Sequence, residues 1–226
     1  MKRKTDANFS QAAKRRLRQP CLILLMGVAG SGKTTLAREI LRHLWAVYLD
    51  NNHIVDAFFA DQRNGRAYEK LRPRFYRALY TIAEENLKTG NSVLLDVPHM
   101  KEMQIPEWRR FIQSLAARTK SKLVIVRCRC PENVLRMRLE GRGEKRDRWK
   151  LKHWREFLAE QPIDLPLVFS HLDIDTTKEL SKNVKLAVQY ITGHDGSRAQ
   201  RLSSVANSLG KTVSARGGPL LSASQL

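Results

Sequence analysis

The run Gly27-Val28-Ala29-Gly30-Ser31-Gly32-Lys33-Thr34-Thr35 matches the spacing GxxxxGK[ST] in full. Glycines at such a turn let the backbone curl round an anion at dihedral angles and distances that a Cβ would block. Inward-turned N–H groups, with the positive end of a helix behind them, then bind polyphosphate. In that geometry Lys33 reaches the β- and γ-phosphates and the Thr34 hydroxyl ligates Mg²⁺. The flanks agree with this reading, because the apolar run from Cys21 to Met26 reads as a short buried strand and Leu36-Ala37-Arg38-Glu39-Ile40-Leu41 as the body of a helix. An ordinary glycine-rich turn is the plain alternative, and the joint match of residues and context argues against it.

Two carboxylates close apolar runs further on. Trp45-Ala46-Val47-Tyr48-Leu49 leads into Asp50, and Asn91-Ser92-Val93-Leu94-Leu95 leads into Asp96. In open α/β sheets ligands bind outside the carboxyl ends of the strands, so an acid there faces the phosphates. Asp96 is expected to hold Mg²⁺, as the acid closing an apolar strand does beside a phosphate loop. Asp50 is expected either to orient the metal or to take a proton from an attacking hydroxyl. Its competing role is an N-cap for the following helix, and the two roles are compatible. His99, in the stiff Val97-Pro98-His99 loop, is a weaker candidate for substrate contact, since a lone loop histidine is more often inert.

Cations gather in two places. Arg72, Arg74 and Arg77 crowd one helix start, where they are unfavourable unless an anion or acid compensates. Between residues 131 and 150 stand seven: Arg136, Arg138, Arg142, Lys145, Arg146, Arg148 and Lys150. Arg138 and Arg142 are four apart, share a helix face and repel each other unless a phosphate intervenes. With Gly141 and Gly143 as hinges, this stretch reads as an arginine lid that closes over ATP and excludes water. A salt-bridged surface helix using Glu132, Glu140, Glu144 and Asp147 is the alternative.

Periodicity supplies the frame. Helices are expected from Lys33 to about Leu44, from His53 to Phe59, from Arg72-Pro73 to Lys88, from Ile105 to Ala117, from Pro131 onward, around Trp154 to Leu158, and from Lys178 to Ile191. Tyr76, Tyr80, Ala83 and Leu87 form an apolar stripe read as core. Strands are expected at residues 21–26, 45–50, 91–96, 122–128 and 170–175, the last an edge because of its alternating acids. The sequence thus divides into a basic segment at 1–19, with a short helix near residues 11–17, one α/β domain at 20–192, and a Ser, Gly and Ala-rich tail at 193–226 expected to be disordered.

The chain has 226 residues, is 42% hydrophobic and carries a formal charge of +19. Seven Lys/Arg against Asp6 give residues 1–20 a charge of +6, and Arg198, Arg201, Lys211 and Arg216 against Asp195 give residues 193–226 a charge of +3. Nearly half of the excess thus sits in the two tails, which can bind polyanions, nucleic acid included, without specificity. Cys21, Cys128 and Cys130 fit reduced, buried thiols in a cytoplasmic protein rather than a disulfide framework. No apolar run approaches the ~18 residues of a membrane span, and no apolar segment near the start resembles a secretory signal.

The order of strand, glycine-rich turn, helix, strand with Asp50, helices, strand with Asp96, helix, strand, arginine-rich helix, strand and helix resembles the P-loop kinases of nucleoside monophosphates, shikimate and gluconate. More closely it is similar to the AAA-type ATP-binding proteins of the zeta-toxin and chloramphenicol-phosphotransferase-like clan, over about residues 21–192. The resemblance implies a three-layer α/β fold with a five-stranded parallel sheet of order 2-3-1-4-5, Mg-ATP as donor, and phosphoryl transfer to a small-molecule acceptor. It implies Asp50 as acceptor contact or base, and arginines of the lid, Arg138 and Arg142 among them, on the transferred phosphate. Where shikimate and gluconate kinases place a second acid, this sequence has Asn52, and His53-Ile54 does not reproduce the histidine-proline element of gluconate kinases. A polynucleotide or RNA-end kinase and a non-catalytic ATP switch stand as alternatives.

Overall fold

The strand that leads into the glycine-rich turn occupies the centre of the sheet. In the computed structural model, which describes residues 14–59, 63 and 65–193, β1 (Cys21–Met26) is buried at every position. A strand apolar on both faces is stable only when covered on both. Leu22, Leu24 and Met26 face one layer, and Ile23 and Leu25 face the other.

After the turn come α1 (Lys33–His43), β2 (Val47–Asp50), α2 (Asn51–Asp56), α3 (Arg66–Lys88), β3 (Val93–Asp96), α4 (Pro106–Arg118) and β4 (Lys122–Arg129). They are followed by α5 (Glu132–Arg142), α6 (Arg148–Lys152), α7 (Trp154–Glu160), β5 (Leu172–Asp175) and α8 (Leu180–Thr192), with single 3-10 turns at Glu102–Gln104 and Lys145–Asp147. The five strands are all parallel in the order β2-β3-β1-β4-β5, as the sequence leads one to expect. α3 and α4 cover one face through Leu79, Tyr80, Leu87, Trp108 and Ile112, while α1 and α8 cover the other through Leu36, Ile40, Val184 and Ala187. A third apolar cluster of Val28, Cys130, Leu135, Leu139, Trp154 and Phe157 seats α5 and α7 on the glycine-rich turn. All three cysteines are free and buried, and burial pushes the Cys128 thiol up to about 12.

Some elements depart from their expected bounds. α3 begins at Arg66, so Pro73 lies inside it rather than in its first turn. Proline removes one helical hydrogen bond. The turns before it are fastened by tertiary contacts that local propensity does not register: Tyr68 lies edge-on to Phe59, and Arg72 pairs with Glu102. β2 is a half-buried edge strand, and Trp45, placed in a buried strand by its neighbours, is exposed with the Lys14 ammonium 5.3 Å from its ring centre. The short helix expected near residues 11–17 is not formed over its described part, because the Arg15 backbone pairs instead with His43 and Trp45. The segments at 1–13 and 194–226, including most of both basic tails, lie outside the described residues. Among the described residues no helix is long and apolar enough to cross a membrane.

α3 is tied to the end of β3 by a partly buried polar cluster. Arg72 Nη2 donates to Glu102 Oε1 at 2.8 Å, and His99, fully buried among Tyr76, Tyr80 and Trp108, has Nδ1 3.8 Å from Glu102 Oε2. Burial alone would raise the Glu102 carboxyl, but His99 and Arg72 outweigh it and bring it down to about 2. A depressed carboxyl adds stability that is present above its unfolded value, about 4.3, and lost as pH falls through its folded value. The stability difference between wild type and Glu102→Gln should therefore be full at pH 6 and shrink between pH 4.5 and about 2, measured by urea unfolding across that range. A constant difference would contradict the assigned pairing.

Candidate active site

The glycine-rich turn has the close contacts its residue types require. Gly27 has φ 139°, and a Cβ there would stand 2.5 Å from the carbonyl oxygen of Cys128. Gly32 has φ 88° and caps α1 without any side-chain hydrogen bond, leaving Lys33, Thr34 and Thr35 at the helix start on the wall of a cavity of about 1000 Å³. Ala29, Gly30 and Gly32 share that wall, while Gly27, Val28 and Ser31 lie beneath it. Lys33 Nζ donates to the Val28 carbonyl at 3.1 Å, folding the lysine back over the turn. An uncapped helix start beside a lysine can take the oxygens of an anion.

Asp50 and Asp96 end neighbouring strands in the same register. Thr34 Oγ1 donates to Asp96 Oδ2 at 2.6 Å, and the Tyr48 hydroxyl lies 3.2 Å from Asp96 Oδ2 and 3.3 Å from Asp50 Oδ2. Burial holds the Asp96 carboxyl above the usual range; Lys33 opposes this and Asp50 adds to it. Burial and both acids push the Tyr48 hydroxyl well up, so it stays a neutral donor. Among the described residues no group of three or more His, Cys, Asp or Glu could hold a metal ion. The hydroxyl and carboxylate of Thr34 and Asp96 nonetheless fit Mg²⁺, which is bound through one or two protein oxygens with water and phosphate completing its shell.

Asp50 is less open than its position in sequence suggests. Its Oδ1 accepts from both the backbone N–H and the side-chain amide of Asn52 at 2.8 Å, which makes it the N-cap of α2. Asn51, Asn52 and Asp96 line the cavity, and Asp50 sits behind them. His99 is buried under Tyr76 and Tyr80, away from the cavity wall.

The arginine-rich stretch meets the cavity from both ends of the sheet. Arg138 Nη1 donates to Thr176 Oγ1 at 2.8 Å and to the Gly30 carbonyl at 3.4 Å, while its Nη2 donates to the Thr176 carbonyl at 2.7 Å, so α5 is pinned to the loop after β5 and to the glycine-rich turn. Arg142 Nε donates to Asp147 Oδ2 at 2.5 Å, and Lys150 Nζ to Asp147 Oδ1 at 2.6 Å. Arg146 crosses to the β2 side and pairs with Asp56 of α2. Of the acids named for a salt-bridged surface helix, Glu140 pairs with Arg136 at 3.0 Å on the exposed side and Glu144 lies 3.9 Å from Arg146, whereas Asp147 makes its pairs while fully buried. Tyr48, Arg63, Asp147 and Thr176 were not signalled as site residues in the sequence. Tyr48, within an apolar strand two residues before Asp50, is the one that strand alternation could have placed on the acids' side.

The fold is shared with solved kinases of low sequence identity. A sugar kinase of Janibacter sp. HTCC2649 superposes with a TM-score of 0.58 at 18% identity, over 76% of this chain and 94% of that one. A gluconokinase of Sinorhizobium meliloti 1021 gives 0.52 at 16% identity over 85% and 99%, and the APS kinase of Mycobacterium tuberculosis, in complex with AMPPNP and APS, gives 0.52 at 18% over 76% and 98%. At such identities the likeness is one of fold. No curated protein matches the chain in sequence. Residues 22–162, which hold the glycine-rich turn, both acids, Arg138 and Arg142, match the AAA domain family, and the chain belongs to that family.

Proposed function

We propose that the chain transfers the terminal phosphoryl group of Mg-ATP to a hydroxyl of a small-molecule acceptor. The observation that carries this reading is one cavity in which an uncapped helix start, Lys33 and the Thr34–Asp96 hydroxyl–carboxylate pair stand together. The fold it shares with sugar, gluconate and APS kinases supports the reading.

In this mechanism the backbone N–H groups from Gly30 to Thr35 hold the nucleotide's phosphates, and Lys33 leaves the Val28 carbonyl to meet the β- and γ-oxygens. Thr34 and Asp96 hold Mg²⁺, which when bound neutralises charge on the phosphates. Phosphoryl transfer passes through a loose transition state, so most of the rate comes from positioning and from fixed charges rather than from covalent work by the protein. Arg138, already aimed at Gly30, and Arg142 supply cations to the equatorial oxygens. Asp50, just behind the wall formed by Asn51, Asn52 and Asp96, would receive the acceptor proton through Oδ2, whose only side-chain partner among the described residues is the Tyr48 hydroxyl at 3.3 Å.

Two substitutions test the assignment. Lys33→Ala should abolish transfer from γ-labelled ATP while leaving the unfolding midpoint in urea unchanged. Asp50→Asn keeps a good cap for α2, so folding and calorimetric ATP affinity should stay near wild type while acceptor phosphorylation falls by on the order of 10² to 10⁴. The acceptor is found by incubating the protein with labelled Mg-ATP and fractionated metabolites. Unchanged turnover in Asp50→Asn would remove Asp50 from the proton-accepting role, and absence of any heat with ATP in magnesium buffer would remove the whole reading.

A further inference from the structure

Beyond the phosphate-binding turn, cations at the β2–β3 end of the cavity outnumber the acids hydrogen-bonded to them among the described residues. Asp56 accepts hydrogen bonds from both Arg63 and Arg146. Asp147, fully buried, accepts from both Arg142 and Lys150, and Glu102 accepts from Arg72. Five cations thus share three carboxylates, and all five cations line the cavity. Glu69 and Glu160 stand on the same wall but bond to none of the five among the described residues, and Glu144 approaches Arg146 only to 3.9 Å.

Cations that share one carboxylate in a recessed site repel each other, and that cost is relieved when an anion enters between them. The strain registers on Lys150: burial lowers its ammonium pKa, Asp147 opposes this, and Arg142 and Arg63 lower it further. An open hydrogen-bond position is also present, because Arg63 Nε is buried without an acceptor among the described residues. A guanidinium fork suits the paired oxygens of a phosphate or carboxylate.

The same arginine is wired to the proton-accepting acid. Arg63 Nη1 donates to Asn52 Oδ1 at 2.7 Å, and Asn52 Nδ2 donates to Asp50 Oδ1 at 2.8 Å. We propose that this end of the cavity is an oxyanion pocket: the acceptor is a small molecule that carries a phosphate or carboxylate group of its own, gripped by Arg63, Arg146 and Lys150 while its hydroxyl lies toward Asp50. The inference rests on the phosphotransferase reading and names the acceptor's chemical class. Side-chain exposures of 13% for Arg63, 17% for Arg146 and 17% for Lys150 favour a small molecule, since a nucleic-acid strand needs cations that stand out from the surface.

The test uses the full chain saturated with Mg-AMPPNP, so that the phosphate-binding turn is filled, and titrates inorganic phosphate and, separately, acetate by calorimetry. Phosphate or acetate should bind at one site, and the stronger of the two tells a phosphate-bearing from a carboxylate-bearing acceptor. Arg146→Gln and Arg63→Gln should each weaken that binding by about tenfold or more, while Arg146→Lys, which keeps the charge, should lose less. Asp56→Asn should tighten it, because the oxyanion no longer competes with the shared carboxylate. AMPPNP affinity should stay within about twofold of wild type in all four variants, since none of these residues belongs to the turn. AMPPNP binding with no oxyanion binding, or Asp56→Asn leaving the affinity unchanged or weaker, overturns the pocket alone. Absence of AMPPNP binding overturns the phosphotransferase reading and the pocket with it. Binding of a ten-residue oligothymidylate tighter than that of phosphate, and weakened by Arg146→Gln, overturns the small-molecule assignment in favour of a polynucleotide.

Discussion

Two carboxyl groups held side by side in a poorly solvated place set the terms for the rest of the site. Parallel pairing of β2 with β3 sets Asp50 level with Asp96, and burying two acids side by side is costly without help. Help comes from three directions. The Thr34 hydroxyl and the Lys33 charge arrive on the turn after β1, the Tyr48 hydroxyl spans both acids, and the Asn52 amide and backbone cap Asp50 from α2. The glycine-rich turn therefore delivers a hydroxyl and an ammonium to a carboxyl pair that the sheet register creates.

Charge balance at the other boundary is arranged in the opposite sense. Asp56 and Asp147 each serve two cations, and the arginine-rich segment reaches from α5, anchored through Arg138 on Thr176, across to α2 through Arg146. The cavity thus has Asp96 beside the glycine-rich turn and a group of acid-bridged cations further along its wall. That polarity suits a reaction in which a metal-bound polyphosphate and a negatively charged second substrate have to be brought together against their own repulsion.

The parts of the site that were legible in the sequence are those written in contiguous residues. The strand, turn and helix around Lys33 and the acids closing β2 and β3 could be read because apolar runs and glycine spacing are local signals. Partnerships across long separations could not. Nothing near Asp147 distinguishes it from a surface acid, yet two cations bury it, and Thr176 gains its place only because β5 pairs with β4 and carries the following loop beneath Arg138. Asn52 stood out only as an acid that was missing. In the structure an amide is the side chain that can donate to Asp50 and accept from Arg63 at once, which a carboxylate could not do. Pro73 misled in the other direction, since its preference for a first turn was overridden by contacts of Tyr68 and Arg72 that lie upstream of it.

The third apolar cluster reinforces the tie that Arg138 makes between α5 and the glycine-rich turn. Val28, inside the glycine-rich turn, packs with Leu135 and Leu139 of α5 and with Trp154 and Phe157 of α7, so the loop and the helices flanking the arginine-rich stretch share one oily seam. Close-packed interiors transmit displacement rather than absorb it. Any shift of the loop would in this way be shared with the helices that carry the arginines, because the two have no slack between them.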